Sequence, residues 1–433
     1  MHRALVFSEI NGLGAEARFL LQVMVCQWTA GLGASYKVKE FAKLHCLTER
    51  LVREATRGLV EAGLLTTKKL AEQKGRPSQE YEASQPLLDL LGENERGRVT
   101  HEDLVLRLFC EPDVFAERPL PDADTTRVRV ARKQVREDGR PAAPGAHGRL
   151  AASTRVLLAA LLISADQCGV VIGIGEARLR AMTGLNSAAL KHQVKRLLNL
   201  GFMRCHVPGV SNGVFVGAKV PSIYYLNLGH PQLTDQSPHG LLVYASEGLS
   251  GYERLTSGLR SDIQKALLAL GPAVLDVLYH KLARYTSHLL SKTWGEPSSE
   301  YGAAPASLEG MIARELTQLK VGNPRQSEAG YYWPGMPDHF FALAYEWAEL
   351  LKKRLSGKIW QSYQPQLVRL IPAPGEEASA LRIVSLMFYP APAHQKGCIL
   401  MRDFRDGSLE EFHGETDLVM KCGYVPGLLT PPS

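Results

Sequence analysis

The sequence lacks the features of exported and membrane-bound proteins. No apolar run reaches the roughly 18 residues that a membrane-spanning helix needs. The first residues, MHRALVFSEINGLGAEARF, contain no apolar core followed by a small-residue cleavage site, so no secretory signal is expected. The seven cysteines form no CxxC pair, which predicts reduced thiols. We therefore expect a cytoplasmic protein that has no membrane partner.

The sequence also has few patterns that indicate catalysis. It contains no GxxxxGK[ST] phosphate loop, and the run VVIGIGEARLRAMTG has Arg178 where a dinucleotide fingerprint needs its third glycine. No nucleophile–base pair or carboxylate pair is indicated by spacing. Four residues near the C-terminus have zinc-binding side chains but fit no compact ligand pattern: His394, Cys398, His413 and Cys422. We expect no enzyme activity, no cofactor and no metal site.

Positive charge is concentrated in three segments. Residues 37–76 contain ten Lys/Arg and five Asp/Glu, and residues 125–149 contain seven and two. Residues 178–219 contain seven basic residues and no acidic one. Because the net charge of the whole chain is only +6, the remainder is acidic. This distribution predicts a surface that binds a polyanion, although any one segment alone is typical of a solvated face.

The chain contains an internal repeat. CLTERLVREATRGLVEAGLLT, which starts at Cys46, aligns without a gap with GLNSAALKHQVKRLLNLGFMR, which starts at Gly184. Each copy follows a longer apolar helix and then a short helix, and each precedes a strand, a Gly-containing turn and a second strand. The order helix, helix, turn, helix, strand, turn, strand resembles the winged helix-turn-helix domains of bacterial transcription regulators.

The resemblance implies a fold that is mainly α with small β wings. We expect winged helix-turn-helix domains at residues 1–85 and 151–230, joined by a basic flexible linker with a short helix at residues 86–150. The linker sequence also favours a short strand at residues 127–130. The rest of the chain, residues 231–433, is expected to be a mostly helical α+β domain for oligomerisation or partner binding.

Within this C-terminal domain we predict a three-stranded meander and four helices. The strand sequences are QLVRLIP, LRIVSLMFY and CILMRDF. The helices are predicted at residues 257–270, 272–291, 307–320 and 338–355. The last of them is rich in aromatic residues, which is typical of a core helix or a dimer-forming helix. A ligand pocket is the alternative.

The third helix of each copy is expected to contact DNA. In the first copy, Thr48 is placed to cap the helix, and Arg50, Arg53 and Arg57 fall on its solvent face, where arginine can pair with guanine. Three nearby glutamates could instead offset this charge. In the second copy, the outward residues are more suited to phosphate contact or to solubility. These outward residues are Lys191, His192 and Lys195, and they follow the capping Asn186 and its neighbour Ser187.

The first copy also has a basic hairpin tip, KGRPSQEY. Lys74 and Arg76 are expected to contact DNA phosphates, because Pro77 stiffens the tip. The second copy lacks this Gly-Arg-Pro turn. We expect a nucleoid-associated, sequence-specific regulator that binds double-stranded DNA and forms a homodimer through residues 231–433. A plasmid or mobile-element replication initiator and a winged-helix protein-interaction module are the alternatives.

Overall fold

The computed structural model describes the greater part of the chain. Of the described residues, 56% are helical and 17% lie in strands, so the fold is mixed α/β with small sheets. The predicted strand at residues 127–130 lies outside this part. The described residues are 10, 12–29, 36–45, 47–69, 79–93, 100–111, 150–230, 232–233, 240–246, 251–294, 306–321, 331–355, 364–371, 383–391, 399–402 and 409–412.

Up to residue 226 the described residues form the two repeat copies, their strands and two helices between the copies. The helices are α1 (Ala15–Thr29), α2 (Val38–Leu44), α3 (Glu49–Glu61), α4 (Gln85–Glu93), α5 (Glu102–Cys110), α6 (Ala152–Ser164), α7 (Glu176–Thr183) and α8 (Ser187–Asn199). The strands are β1 (Leu65–Lys69), β2 (Gln79–Ala83), β3 (Val170–Val171), β4 (Met203–Val207), β5 (Val210–Ser211), β6 (Lys219–Val220) and β7 (Ile223–Leu226).

The remaining elements belong to the C-terminal part. Its helices are α9 (Gly251–Thr256), α10 (Ser261–Leu268), α11 (Pro272–Thr293), α12 (Ala306–Ala313) and α13 (Met336–Leu355). Its strands are β8 (Leu241–Ser246), β9 (Leu319–Val321), β10 (Tyr331–Trp333), β11 (Leu367–Ile371), β12 (Ile383–Tyr389), β13 (Ile399–Arg402) and β14 (Leu409–Phe412).

Contacts divide the chain into two compact units. The first unit contains residues 1–166, 174–202 and 230–233, and the second contains residues 167–173, 203–229 and 234–433. The helices of both repeat copies therefore belong to the first unit, and the strands that follow the second copy belong to the second unit. In the first unit, α1 contacts α3, α5 and α6, and α6 contacts α7 and α8. Each long apolar helix is thus the core of its own copy.

A pair of buried arginines extends the repeat into the long helices. The Nε atom of Arg18 donates to the carbonyl of Leu13 at 3.0 Å, and Arg155 makes the same bond to Leu150 at 3.0 Å. Both arginines are 2% exposed. The Arg155 guanidinium also lies over the ring of Phe19, 5.3 Å from its centre, so the start of α6 packs against α1 of the other copy.

The second unit is built on a five-stranded sheet in the order β11-β12-β8-β13-β14. Strands β8 and β13 are parallel and the other neighbours are antiparallel. Helix α11 covers β11, and α13 packs on α11. Phe340 and Trp347 of α13 are fully buried, which confirms the core interpretation of this aromatic helix. The central strand β8 pairs only with strands more than 130 residues away, which explains why the strand order is hard to predict from sequence.

Three predictions for this unit are wrong. The three predicted strands exist, but they form no meander, because β8 lies between β12 and β13. The helix predicted at residues 257–270 is shorter: it starts at Ser261 and ends at Leu268 as α10, because the residues before it form a turn in which Gly258 has φ +73°. The predicted helix at residues 307–320 ends at Ala313, and the chain continues into strand β9.

A buried histidine in α11 makes the stability of the second unit depend on pH. The Nδ1 atom of His280 and the Tyr225 hydroxyl share one hydrogen bond of 3.1 Å. Burial lowers the pKa of the His280 ring from 6.5 to about 3. The unfolded chain takes up a proton near pH 6.5, whereas the folded chain does not. The free energy of unfolding should therefore fall as the pH falls from about 6.5 towards 3, by about 1.4 kcal/mol per pH unit for this group.

Urea unfolding monitored by tryptophan fluorescence between pH 7 and pH 4 tests this expectation, because Trp294 and Trp347 lie in the core of the same unit. The variant His280→Asn should be less stable at pH 7 but should lose less free energy on acidification. Equal slopes for the two proteins would show that His280 does not carry this pH dependence.

Candidate nucleic-acid interface

Helix α3 presents a charged face that its packing leaves exposed. The predicted cap is confirmed: the Thr48 hydroxyl accepts a hydrogen bond from the Leu51 amide at 3.2 Å, which satisfies a free donor in the first turn. Val52 and Leu59 are fully buried against the unit. The hydrophobic side is thus fixed inward, so Arg50, Arg53 and Arg57 point outward with side chains 85%, 67% and 72% exposed.

Each of these arginines has a glutamate partner on the same helix, one turn away. The charge of the exposed face is therefore balanced. Ion pairs this exposed are each worth only about 0–1 kcal/mol, so a phosphate or a guanine edge can replace the glutamate at little cost. The pairs are Arg50–Glu54 at 2.9 Å, Arg53–Glu49 at 2.8 Å and Arg57–Glu61 at 3.9 Å.

Helix α8 presents the equivalent face with a different charge. Its cap is also as predicted, since the Asn186 side chain accepts from the Ala189 amide at 2.8 Å. Lys191, His192 and Lys195 are exposed, and Ser187 is half-buried at the first helical position. The helix contains no acidic residue, and neither lysine forms an ion pair with another described residue. Unlike α3, this face therefore has uncompensated positive charge.

A hairpin follows α3 and is joined to it by specific contacts. Strands β1 and β2 are antiparallel, with Leu65 opposite Ala83. The Ser84 hydroxyl donates to the Gly63 carbonyl at 2.6 Å, which ties the end of the hairpin to the end of α3. Tyr36 packs against Tyr81 of β2, with ring centres 5.4 Å apart, and its hydroxyl is 2.7 Å from the Thr56 hydroxyl of α3. These contacts hold the hairpin in a fixed orientation to the helix.

The sequence analysis did not identify Tyr36. It lies just before α2, where no periodic pattern marks it, and an isolated aromatic residue is a weak signal. Burial raises the pKa of its hydroxyl to about 12, so the group stays protonated at physiological pH. Its role is to position the hairpin against the helix.

The strands after α8 form a longer hairpin whose tip is bonded within the second unit. Strands β4 and β7 pair with each other and β5 pairs with β6. The Val216 amide donates to the Glu315 carbonyl at 3.1 Å, and the Thr317 amide donates to the Val214 carbonyl at 2.8 Å. Phe215 is 2% exposed. These contacts stop α12 at Ala313, because the segment that follows is used to hold the hairpin.

The structure brings the predicted residues together as two outward helix faces, α3 and α8. Lys74 and Arg76 belong to the segment between β1 and β2 and lie outside the described residues, as do the four potential zinc ligands near the C-terminus. Within the described part, no group of three or more His, Cys, Asp or Glu residues could hold a metal ion. Searches of protein-family models, curated proteins and solved structures find no match to the chain.

None of the helices that the structure describes is, by itself, both long enough and apolar enough to cross a membrane. Together, α10 and α11 reach the required length and composition, but they meet at an angle of 110°. Helix α11 has fourteen buried residues in the unit, which is typical of a core helix.

Proposed function

We propose that this chain is a transcription regulator that binds double-stranded DNA through two unequal winged helix-turn-helix copies. The observation that carries the proposal is the repetition of one arrangement. In both copies a polar side chain caps a third helix, an apolar face packs inward, and the cations remain exposed. A helix presented in this way fits the major groove, where side chains on its outer face contact base edges.

The order of the elements supports the same proposal. In the first copy, α1, α2 and α3 precede the β1–β2 hairpin. In the second copy, α6, β3, α7 and α8 precede β4 and β7, and the sheet order is β3-β7-β4. Three helices followed by an antiparallel hairpin are the elements of a winged helix-turn-helix domain.

The two copies differ in what they offer to DNA. Helix α3 has arginines, which can form paired hydrogen bonds to guanine. Helix α8 has lysines, which act as point charges for phosphate. The tip of the second hairpin is held by the segment around Glu315. We infer that α3 selects the sequence and that α8 adds phosphate contacts.

The experiment is selection of bound fragments from a randomised duplex library, with the full chain at low and at physiological salt. We expect one asymmetric motif, because two unequal helices in one chain need no palindrome. A motif that occurs only as adjoining copies would favour the replication initiator. If no motif is enriched and binding disappears as salt rises, the specific-regulator proposal fails and a protein partner becomes the better explanation.

A further inference from the structure

A cavity in the second unit is separate from both helix faces. Its volume is about 250 Å³, and it lies between the β5–β6 hairpin, helix α11, strand β11 and the segment at residues 314–315. This volume is several times the roughly 30 Å³ that a water molecule occupies in the liquid, and slightly below the range of drug-sized pockets. The cavity therefore has room for a small metabolite.

The walls of this cavity are strongly basic. One carboxylate, that of Glu315, faces a set of five cationic side chains. The cations are Lys219, Lys281, Arg284, Arg314 and Arg369.

The single carboxylate is already engaged. Lys281 donates to Glu315 Oε2 at 2.6 Å, Arg284 donates to Oε1, and the Tyr285 hydroxyl donates to Oε2 at 3.0 Å. Burial alone would raise the pKa of Glu315, but Arg284 and Lys281 outweigh burial and lower it, so the carboxylate is ionised. Lys281 and Arg284 therefore share the one carboxylate of the lining, and the charges of Lys219 and Arg314 are not balanced by a carboxylate of the lining.

Part of this charge is withdrawn from solvent. The side chains of Lys281 and Arg284 are 9% and 22% exposed. The Nε atom of Arg284 is buried and donates to no described residue. His280 also lines the cavity, but its low pKa leaves the ring neutral at physiological pH, so it adds no charge. Excess positive charge in a half-closed site is costly unless an anion neutralises it.

The lining of the cavity also contains apolar residues. They are Val170, Ile172, Val220, Pro221 and Ile223. An inorganic anion would leave these side chains in contact with water, whereas a ligand with an apolar body would cover them. The cations and the apolar residues together therefore fit an amphipathic ligand.

We propose that this cavity binds a small phosphate monoester with an apolar body. Such a phosphate has a charge of about −1.5 to −2 at pH 7 and three strong acceptor oxygens, which matches several cations better than a monocarboxylate does. Arginine forks suit these oxygens. A DNA backbone is a poorer fit, because a duplex can reach only the exposed cations Lys219 and Arg314 and not the recessed Lys281 and Arg284. The site does not depend on the proposed function.

Calorimetric titration of the full chain with phenyl phosphate tests the proposal. Inorganic phosphate supplies the head group alone, and benzyl alcohol supplies the apolar body alone. We expect saturable binding of phenyl phosphate, with both fragments at least about tenfold weaker. The double variant Lys219→Gln/Arg314→Gln should weaken phenyl phosphate binding about tenfold or more, since both residues are exposed and the fold should tolerate their loss.

The matched control is Lys265→Gln/Lys320→Gln, which removes two exposed cations from the same unit but outside the cavity. This control should bind phenyl phosphate as the wild type does. The proposal is overturned if phenyl phosphate does not saturate, if inorganic phosphate binds equally tightly, or if the two double variants behave alike. Displacement of phenyl phosphate by a short duplex, with loss of duplex binding in Lys219→Gln/Arg314→Gln, would assign these cations to DNA instead and also overturn it.

Discussion

Replacement of Arg50, Arg53 and Arg57 by alanine should lower the affinity for the selected duplex at least about a hundredfold and erase one part of the motif. Each paired contact of arginine with a base contributes about 1–3 kcal/mol to the binding free energy. Loss of three such contacts therefore costs much more than the exposed Arg–Glu ion pairs contribute to stability. The buried face of α3 is untouched, so the variant should fold normally. Binding to the selected duplex and to a scrambled duplex, measured across salt concentrations, separates specific from non-specific loss.

Three further variants test whether this result is specific to the arginines. Arg50→Lys/Arg53→Lys/Arg57→Lys keeps the charge but loses the planar fork, so it should keep the salt dependence and relax the motif. Lys191→Ala/Lys195→Ala should keep the motif, weaken binding to all duplexes alike, and reduce the salt slope by about 2, close to one for each phosphate contact. Lys265→Ala/Lys320→Ala controls for the loss of charge alone. If the arginine variants bind both duplexes like the wild type, α3 does not contact DNA.

The helix faces could be predicted because their signals are local. Thr48 and Asn186 precede helices at equivalent positions of an ungapped repeat, and helical periodicity separates the buried residues from the exposed cations. The glutamates that pair with the arginines are also visible at i±4 spacing. The repeat of Arg18 and Arg155 was visible too, since each follows a leucine by five residues. It was missed because this part of the repeat is offset by one residue from the rest.

The other features depend on contacts between distant parts of the chain. Strand β8 is inserted between β12 and β13, although more than 130 residues separate it from either, so no sequence window contains the pairing. Helix α12 ends early because Thr317 bonds to the hairpin at Val214, which overrides helix propensity. The cavity likewise collects cations as far apart as Lys219 and Arg369. Charge counting along the sequence cannot find such a site.

The variant Gly184→Ala should destabilise the first unit by several kcal/mol, about 2–5 in all. Gly184 ends α7 with φ +69°, a conformation that costs an L-amino acid about 1–2 kcal/mol. A Cβ atom there would lie 2.2 Å from the Leu13 carbonyl oxygen, which Arg18 already holds with a hydrogen bond. The oxygen cannot move away without breaking that bond, so overpacking adds about 1–3 kcal/mol.

Gly63→Ala is the matched control, because Gly63 has φ +72° and a Cβ atom there would have open space around it. Gly63→Ala should lower the free energy of unfolding by about 1 kcal/mol, because only the strained backbone conformation contributes. Urea unfolding monitored by helical circular dichroism measures both variants. Because Leu13 belongs to the first copy and Gly184 to the second, a much larger loss for Gly184→Ala shows that each copy supports the other. Equal losses would mean that the start of α1 yields to the new methyl group, and that the turn before α8 is not held by the first copy.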